Sequence, residues 1–101
     1  MAKGYWIALV DISDLDAYKR YQEANAEPFA QYGAKFLVRG GQSEVVEGEA
    51  RSRQVIIEFP TYALARECYF SEAYQHAKSL RADAGVADIL IVEGYEGVQP
   101  G

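Results

Sequence analysis

The sequence is poor in the residues that build metal centres and disulfide bonds. Its 101 residues include one cysteine, Cys68, and one histidine, His76. A single cysteine excludes an internal disulfide bond and a cysteine-built zinc site, and it is typical of proteins from a reducing compartment. A lone histidine likewise excludes a site built from several histidines. We therefore expect no metal, no cofactor and a cytoplasmic location.

An excess of positive charge and long apolar runs are also missing. Ten basic residues face 15 acidic ones, for a net charge of -5. This balance argues against a nucleic-acid partner, because binding to phosphates depends on lysine and arginine. The apolar run at residues 5–10 is too short for the core of a signal peptide, and a membrane-spanning helix needs about 20 apolar residues. We expect neither segment.

What the sequence does contain is enough apolar material for one core, since half of its residues are hydrophobic. We predict a single domain over residues 1–97 and a flexible tail at residues 98–101. A domain of this size buries only about 60 to 70% of its unfolded surface. Pairing with a second chain would therefore help to stabilise it.

Hydrophobic periodicity and turn residues predict four strands and two helices. Ser13 and Asp16 resemble a capping box for the first helix, Pro28 predicts a kink or restart near residues 26–27, and Gly33 predicts its end. Ser71 is expected to cap a continuation of the second helix. Strands are predicted at residues 5–10, 34–39 with a continuation at 44–47, 54–59 and 88–93, and helices at residues 14–32 and from 61 to about 84. Residues 44–48 should pair with the third strand as a hairpin.

The resulting order, β-α-β-β-α-β, predicts an α+β ferredoxin-like fold. Right-handed crossovers place the first and third strands at the centre of a four-stranded antiparallel sheet, with both helices on one face. The first and last strands are apolar at nearly every position, so the other face also needs cover. A second copy of the chain would supply it and form a dimeric α/β barrel.

Five short motifs make the sequence similar to the DUF1330 family of the dimeric α/β-barrel superfamily. They are residues 4–7, 36–41, 46–48, 57–60 and 92–94. The resemblance runs from Tyr5 to about Gly97 and implies the same fold and a homodimer. It implies no reaction, because the family is a domain of unknown function, although distant superfamily members include cofactor-free monooxygenases, isomerase-like enzymes and haem-dependent chlorite dismutases.

Strand alternation indicates which side chains share a face of the sheet. We expect the helices to cover Val55, Ile57, Phe59, Leu90, Val92, Phe36 and Val38. The first strand is ambiguous, but placing Ile7 and Leu9 under the helices sends Trp6, Ala8 and Val10 to the opposite face. That face would then hold a cavity of Trp6, Leu37, Ile56, Ile89 and Ile91, with Arg39, Glu58 and Glu93 as its polar groups. Such a pocket is the usual form of a small-molecule site.

Two functional hypotheses follow, and whether the protein is an enzyme stays open. In the first, Glu58 or Glu93 is a general base and Arg39 orients a small organic acid or aromatic molecule, as in a cofactor-free oxygenase or isomerase. Trp6, Tyr69 and His76 are further ligand-binding candidates, although a tyrosine at a helix edge or a lone histidine is more often structural. In the second, the protein is a non-catalytic dimer whose polar groups, including an Arg39 to Glu58 ion pair, fix the interface.

Overall fold

A computed structural model describes residues 2–101 and contains seven regular elements. These are β1 (Gly4–Ile12), α1 (Leu15–Gln31), β2 (Lys35–Arg39), β3 (Arg53–Phe59), α2 (Tyr62–Phe70), α3 (Glu72–Ser79) and β4 (Gly85–Glu93). The ferredoxin-like prediction is confirmed, with the second helix divided into α2 and α3. Ser71 lies at the division, where its side chain accepts a hydrogen bond from the Tyr74 amide at 3.2 Å. It therefore caps the continuation as expected.

The four strands form one antiparallel sheet in the order β2-β3-β1-β4. β1 and β3 are central, as predicted. In the register, Trp6 lies opposite Ile57 on one side and Ile91 on the other, so these three side chains share a face. The register also places Ile7 beside Ile56 and Leu90 on the other face.

The ends of α1 differ from the expectation at one terminus and agree with it at the other. The N-cap is Asp14 rather than Ser13, because the Asp14 carboxylate accepts a hydrogen bond from the Ala17 amide at 3.1 Å. Gly33 ends the helix with φ at 74°, and the Ala34 amide donates to the Phe29 carbonyl at 2.9 Å. This is the Schellman arrangement, in which a glycine takes the left-handed position.

α1 is continuous through Pro28, so the restart predicted near residues 26–27 is not formed. The helix continues to Gln31, and the Pro28 carbonyl accepts the Tyr32 amide at 3.1 Å. The proline ring is almost fully buried. Its packing in the core compensates for the missing amide hydrogen bond.

Trp6 determines which face of β1 lies under the helices. It is 1% exposed, and its indole nitrogen donates to the Ala65 carbonyl of α2 at 2.8 Å. Its ring centroid lies 4.8 to 5.6 Å from those of Phe29, Phe59, Tyr69 and Tyr74. The largest apolar side chain of the strand is thus in the core. The prediction that Ile7 and Leu9 would occupy this side is wrong.

The same correction applies to β4 and to part of β2. Ile89 and Ile91 lie under the helices, and Leu90 and Val92 lie on the other face, because the register with β1 ties them to Trp6 and Ile7. In β2 a bulge between Phe36 and Val38 changes the alternation. Phe36 stays on the helix side as predicted. Val38 and Arg39 exchange the faces assigned to them.

The predicted strand at residues 44–47 and its hairpin are absent. Residues 40–50 are all exposed and lie outside regular structure, with Val46 at 83% exposure. Three glutamates in this segment oppose burial of the two valines. The segment is anchored at its end by Arg51, which pairs with Asp11 at 3.1 Å and Asp88 at 2.8 Å.

Residues 2–101 form two layers, with the helices on one face of the sheet and no helix or strand on the other. Its Cα extents are 44 × 34 × 16 Å. Its radius of gyration is 14.2 Å, against about 13 Å for a compact chain of 100 residues. We call the uncovered side the open face; its apolar side chains include Tyr5, Ile7, Leu9, Val38, Ile56, Leu90 and Val92.

Candidate functional site

A cavity of about 30 Å³ lies between α1 and the helix side of the sheet. We call it the α1 cavity. Its lining comes from β1 (Trp6, Ala8, Val10), α1 (Tyr18, Tyr21, Gln22, Asn25, Phe29), β2 (Phe36, Arg39), β3 (Arg53, Val55, Ile57), the segment after α3 (Arg81) and β4 (Ala87, Ile89). A volume of this size holds roughly two water molecules. The walls are mainly aromatic and aliphatic.

Three arginines reach the cavity from three parts of the chain. Arg39 ends β2, Arg53 begins β3 and Arg81 follows α3. Within residues 2–101 none of them forms a salt bridge, and the lining contains no aspartate or glutamate. Positive charge beside apolar walls, with no acid to compensate it, makes the cavity attractive to an anion.

Arg53 has the least satisfied side chain of the three. Its guanidinium lies 5.9 Å from the centre of the Tyr18 ring, and its Nε is buried without a hydrogen-bond partner among the described residues. A buried donor without an acceptor is costly.

Arg81 belongs to a hydrogen-bonded group with two tyrosines. Its Nη2 donates to the Tyr74 hydroxyl at 3.3 Å, and that hydroxyl lies 2.8 Å from the Tyr21 hydroxyl. The Arg81 guanidinium also stacks 5.0 Å from the Tyr21 ring centre. Tyr74 is fully buried, and burial raises its pKa well above the ordinary value. It therefore stays neutral.

Two of the residues predicted to bind a ligand line this cavity. Trp6 forms part of its wall, and Arg39 lies at its exposed edge with its guanidinium 4.1 Å from the Phe36 ring centre. Both were assigned to the opposite face of the sheet, and both assignments are wrong. The core packing of Trp6 and the β2 bulge are the causes.

Glu58 lies on the face where alternation placed it, away from the cavity. Its carboxylate accepts hydrogen bonds from Lys3 at 3.0 Å and from the Tyr5 hydroxyl at 3.2 Å. The bond from Lys3 holds the pKa of Glu58 below its ordinary value. A general base near neutral pH needs the opposite shift. The expected Arg39 to Glu58 ion pair is not formed, because the two side chains lie on opposite faces.

The remaining predicted residues do not meet Glu58 or each other in one pocket. Glu93 is exposed at the end of β4 and lies on the helix side, opposite Gly4 in the register, so its predicted face is wrong. Tyr69 contacts the Trp6 ring but does not line the α1 cavity, and His76 is exposed on α3. The roles proposed for these residues stay predictions. The cavity that was predicted on the open face is not formed by the residues assigned to it, because Trp6, Ile89 and Ile91 lie on the helix side.

Sequence reasoning left several polar residues of the cavity out of the predicted site, although signals for most of them were present. Asn25 is a polar residue on the aromatic stripe of α1, and it is 5% exposed. Arg53 shares the strand face of Val55 and Ile57, the side correctly assigned to the helices. Tyr21 lay on the same stripe as Asn25. For Arg81, which follows α3 and lies outside the regular elements, no periodicity of the sequence predicts that its side chain reaches the core.

Cys68 and the acidic side chains offer no further centre. Burial raises the pKa of the Cys68 thiol to about 12, as expected for a structural cysteine. No group of three or more histidine, cysteine, aspartate or glutamate side chains in residues 2–101 is placed to hold a metal ion. Across the same residues, no helix has the length and apolar character needed to cross a membrane.

Comparison with known proteins gives a family and a fold. A family model described as a domain of unknown function, DUF1330, matches residues 3–95. No curated protein matches the chain. The family match covers β1 through β4 and therefore includes every residue of the α1 cavity.

Among solved structures, a protein of unknown function from Rhodopseudomonas palustris aligns with a TM-score of 0.77 and 18% identity, covering 95% of this chain and 85% of that one. A dimeric protein of unknown function with a ferredoxin-like fold, from Bacteroides fragilis, gives 0.59 and 13%, covering 90% and 95%. A cofactor-independent oxygenase from Streptomyces nogalater gives 0.64 and 9%, covering 100% of both chains. At these identities the similarity shows the fold alone.

Proposed function

The chain belongs to the DUF1330 family, and on that premise we propose that it binds a small organic acid or a small aromatic acid in the α1 cavity. The observation that carries the proposal is the convergence of Arg39, Arg53 and Arg81 on an apolar cavity without an acidic residue. A mainly apolar pocket with a few placed polar groups is typical of small-molecule sites. Guanidinium groups bind carboxylates with two parallel hydrogen bonds.

The lining favours some chemistry over other chemistry. Arginines beside a bound organic acid would stabilise negative charge that develops on an enolate oxygen. The lining offers no carboxylate, histidine or thiol as a base. We therefore propose that any catalysis uses the arginines as electrostatic groups for a substrate that gives its proton to water, as in an isomerisation or a cofactor-free oxygenation of an acidic substrate by dioxygen. The fold shared with the Streptomyces nogalater oxygenase is compatible with this proposal.

Arg39 is the proposed entrance residue. The cavity is smaller than an aromatic acid, whereas Arg39 and Phe36 are both exposed and belong to the edge strand β2. They form the part of the lining that moves most easily. A ligand the size of benzoate would enter by displacing them and would exchange the Arg39 to Phe36 contact for contact with its own carboxylate.

We also propose that the protein is a homodimer joined through the open face. The centre of this face is apolar, and half of the Leu90 side chain is exposed. Most of its charges are paired within the chain, Lys3 with Glu58 at one end and Arg51 with Asp11 and Asp88 at the other, and Lys35 lies opposite Glu58 without a salt bridge of its own within residues 2–101. A second copy would therefore meet an apolar surface with few unpaired charges. The dimeric protein from Bacteroides fragilis supports this proposal by similarity of fold.

This arrangement assigns the two hypotheses from the sequence to two different faces. The helix side holds the proposed binding site. On the open face, the Lys3 to Glu58 pair is the observation that favours an interface role for Glu58. Binding and dimerisation would then depend on separate sets of side chains, and each could be changed alone.

The binding proposal is tested with the fluorescence of Trp6, which is the only tryptophan and lines the cavity. Purified protein is titrated with propionate and benzoate, and with their neutral amides. We expect a saturable change with a carboxylate and a weaker response to the amide. Arg53→Gln should weaken carboxylate binding by about 10- to 100-fold, the usual effect of losing a hydrogen bond between charged groups.

Two further variants serve as controls. Ala8→Leu fills the cavity without changing charge and should abolish binding. Arg20→Gln removes an exposed arginine of α1 that lies outside the lining, and binding should be unchanged. If neither carboxylate binds to the folded wild-type protein by fluorescence or calorimetry, and no small acid is released on denaturation for mass spectrometry, the proposal is wrong.

A further inference from the structure

The hydrogen bonds among Arg81, Tyr74 and Tyr21 have a fixed direction. A guanidinium has only donors, so the bond from Arg81 to Tyr74 uses the Tyr74 oxygen as acceptor. Tyr74 is 0% exposed and does not line the cavity. The Tyr21 oxygen, at 2.8 Å, is the acceptor within reach of the Tyr74 hydrogen.

The direction of the second bond follows from the cost of burying an unsatisfied hydroxyl. A hydroxyl hydrogen that is fully buried without an acceptor costs free energy, so Tyr74 donates to Tyr21. Tyr21 then accepts one hydrogen bond and keeps its own hydrogen free to donate. Because Tyr21 lines the cavity, this hydrogen is available to whatever the cavity holds.

We infer that Tyr21 is a ligand-binding residue that donates a hydrogen bond to an anionic oxygen, a carboxylate or an enolate, in the α1 cavity. The inference rests on the proposed function and specifies the ligand group at this end of the cavity. Tyr74 is a positioning residue that acts through Tyr21. The Arg81 guanidinium, the first donor in this series of hydrogen bonds, polarises both tyrosine hydroxyls. A polarised donor favours a charged acceptor over a neutral one.

The test compares Tyr21→Phe, Tyr74→Phe and the double variant with the full-length wild-type protein, using the same Trp6 titrations. Propionate and benzoate are the probes, each beside its amide. We expect Tyr21→Phe to weaken carboxylate binding by about 10-fold or more and amide binding much less. Tyr74→Phe should have a smaller effect. If Tyr74 acts through Tyr21, the double variant should bind carboxylate as Tyr21→Phe does, whereas a further loss would show that Tyr74 also positions Arg81, which donates a hydrogen bond to it.

Tyr32→Phe is the matched control. Tyr32 follows the same helix and packs against the core but does not line the cavity, so its variant should bind as wild type. Additive losses in the double variant would mean that Tyr74 acts independently of Tyr21. Unchanged carboxylate affinity in Tyr21→Phe, with binding by wild type, would overturn the inference and leave the proposed function intact. Failure of the wild type to bind either carboxylate would overturn both.

Discussion

At the scale of single residues, charges are treated differently on the two faces of the sheet. On the helix side Arg53 and Arg81 lie against aromatic rings and have no acidic partner within residues 2–101. On the open face Glu58 is paired with Lys3 and accepts a second bond from Tyr5. The helix side is therefore suited to bind an anion from solution, whereas the Glu58 carboxylate on the open face has its hydrogen-bond partners within the chain.

Glu58→Gln should lower stability near neutral pH and have little effect in acid. The hydrogen bond from Lys3 lowers the pKa of Glu58 from its ordinary value of 4.5. The folded-state pKa thus lies below the unfolded value, so the stabilisation is complete above about pH 4.5 and is lost as the pH falls through the folded-state pKa. Urea unfolding of both proteins at about pH 7 and about pH 3 measures the difference. Urea is chosen because guanidinium salt would screen the pair.

Glu67→Gln provides the comparison for this measurement. Glu67 is exposed on α2 and forms no salt bridge within residues 2–101. Its variant should show no comparable difference between the two pH values. A stability loss in Glu58→Gln that is as large at about pH 3 as at about pH 7 would show that Glu58 contributes through packing and not through its charge.

At the scale of elements, the end of β2 controls the position of Arg53. Gly40 has φ at 68°, and its amide donates to the Gln54 carbonyl at 2.8 Å. A Cβ at this position would overlap the Arg53 guanidinium. The glycine therefore provides both the backbone conformation that ends the strand and the space that the arginine occupies.

Gly40→Ala should weaken carboxylate binding by about as much as Arg53→Gln does, because the guanidinium has to leave its place. It should also cost about 1 to 2 kcal/mol of unfolding free energy, since alanine is strained in this conformation. Trp6 titration and urea unfolding report the two effects. In Gly41→Ala the added Cβ meets nothing within 4 Å, and both properties should stay near wild type. Tight carboxylate binding by a folded Gly40→Ala protein would contradict this account of Arg53.

The order of the elements could be predicted from the sequence. Which side chains of each strand lie under the helices could be predicted for β3 but not for β1. β3 alternates Ile56 and Glu58 with Val55 and Ile57, and its polar residue gave the correct faces. In β1, Trp6 and Ile7 are both apolar, so alternation contains no information about which of them is covered. The face of Trp6 is determined by its contacts with aromatic residues of the helices, Phe29 and Tyr74, and these contacts depend on tertiary packing.

The candidate site was harder to predict than the fold because one misplaced strand moves every residue on it. Because Trp6 was assigned to the open face, the cavity that it lines was predicted on that face as well. Arg39 changed face because of a bulge, and the sequence contains no distinct signal for a bulge at Leu37. The arginine cluster requires the ends of β2, β3 and α3 to meet, which neither strand period nor helix period reveals.

At the scale of the whole molecule, the two layers leave the open face as the main unexplained surface. Monomeric proteins seldom expose an apolar sheet face, because its burial is favourable and its strands are prone to association. Leu90, Val92 and Val38 are between 37 and 51% exposed. A second copy placed face to face would cover these side chains and leave the α1 cavities on the outer sides of the two sheets, each within one protomer.

Leu90→Glu should convert the proposed dimer into a folded monomer. In the dimer its carboxylate would be buried in an apolar interface without a partner, whereas in the monomer it would stay in water. Leu15→Glu makes the same change at an exposed leucine of α1, 57% exposed against 51% for Leu90, and should remain dimeric.

Light scattering at micromolar concentration should give twice the 11.2 kDa chain mass for wild type and Leu15→Glu. It should give the chain mass for Leu90→Glu, with an unchanged circular dichroism spectrum. A wild-type mass of one chain would refute the dimer, and a dimeric Leu90→Glu would place its interface on a different surface. Because the interface and the α1 cavity lie on opposite faces of the sheet, the monomeric variant should also bind carboxylates as wild type does.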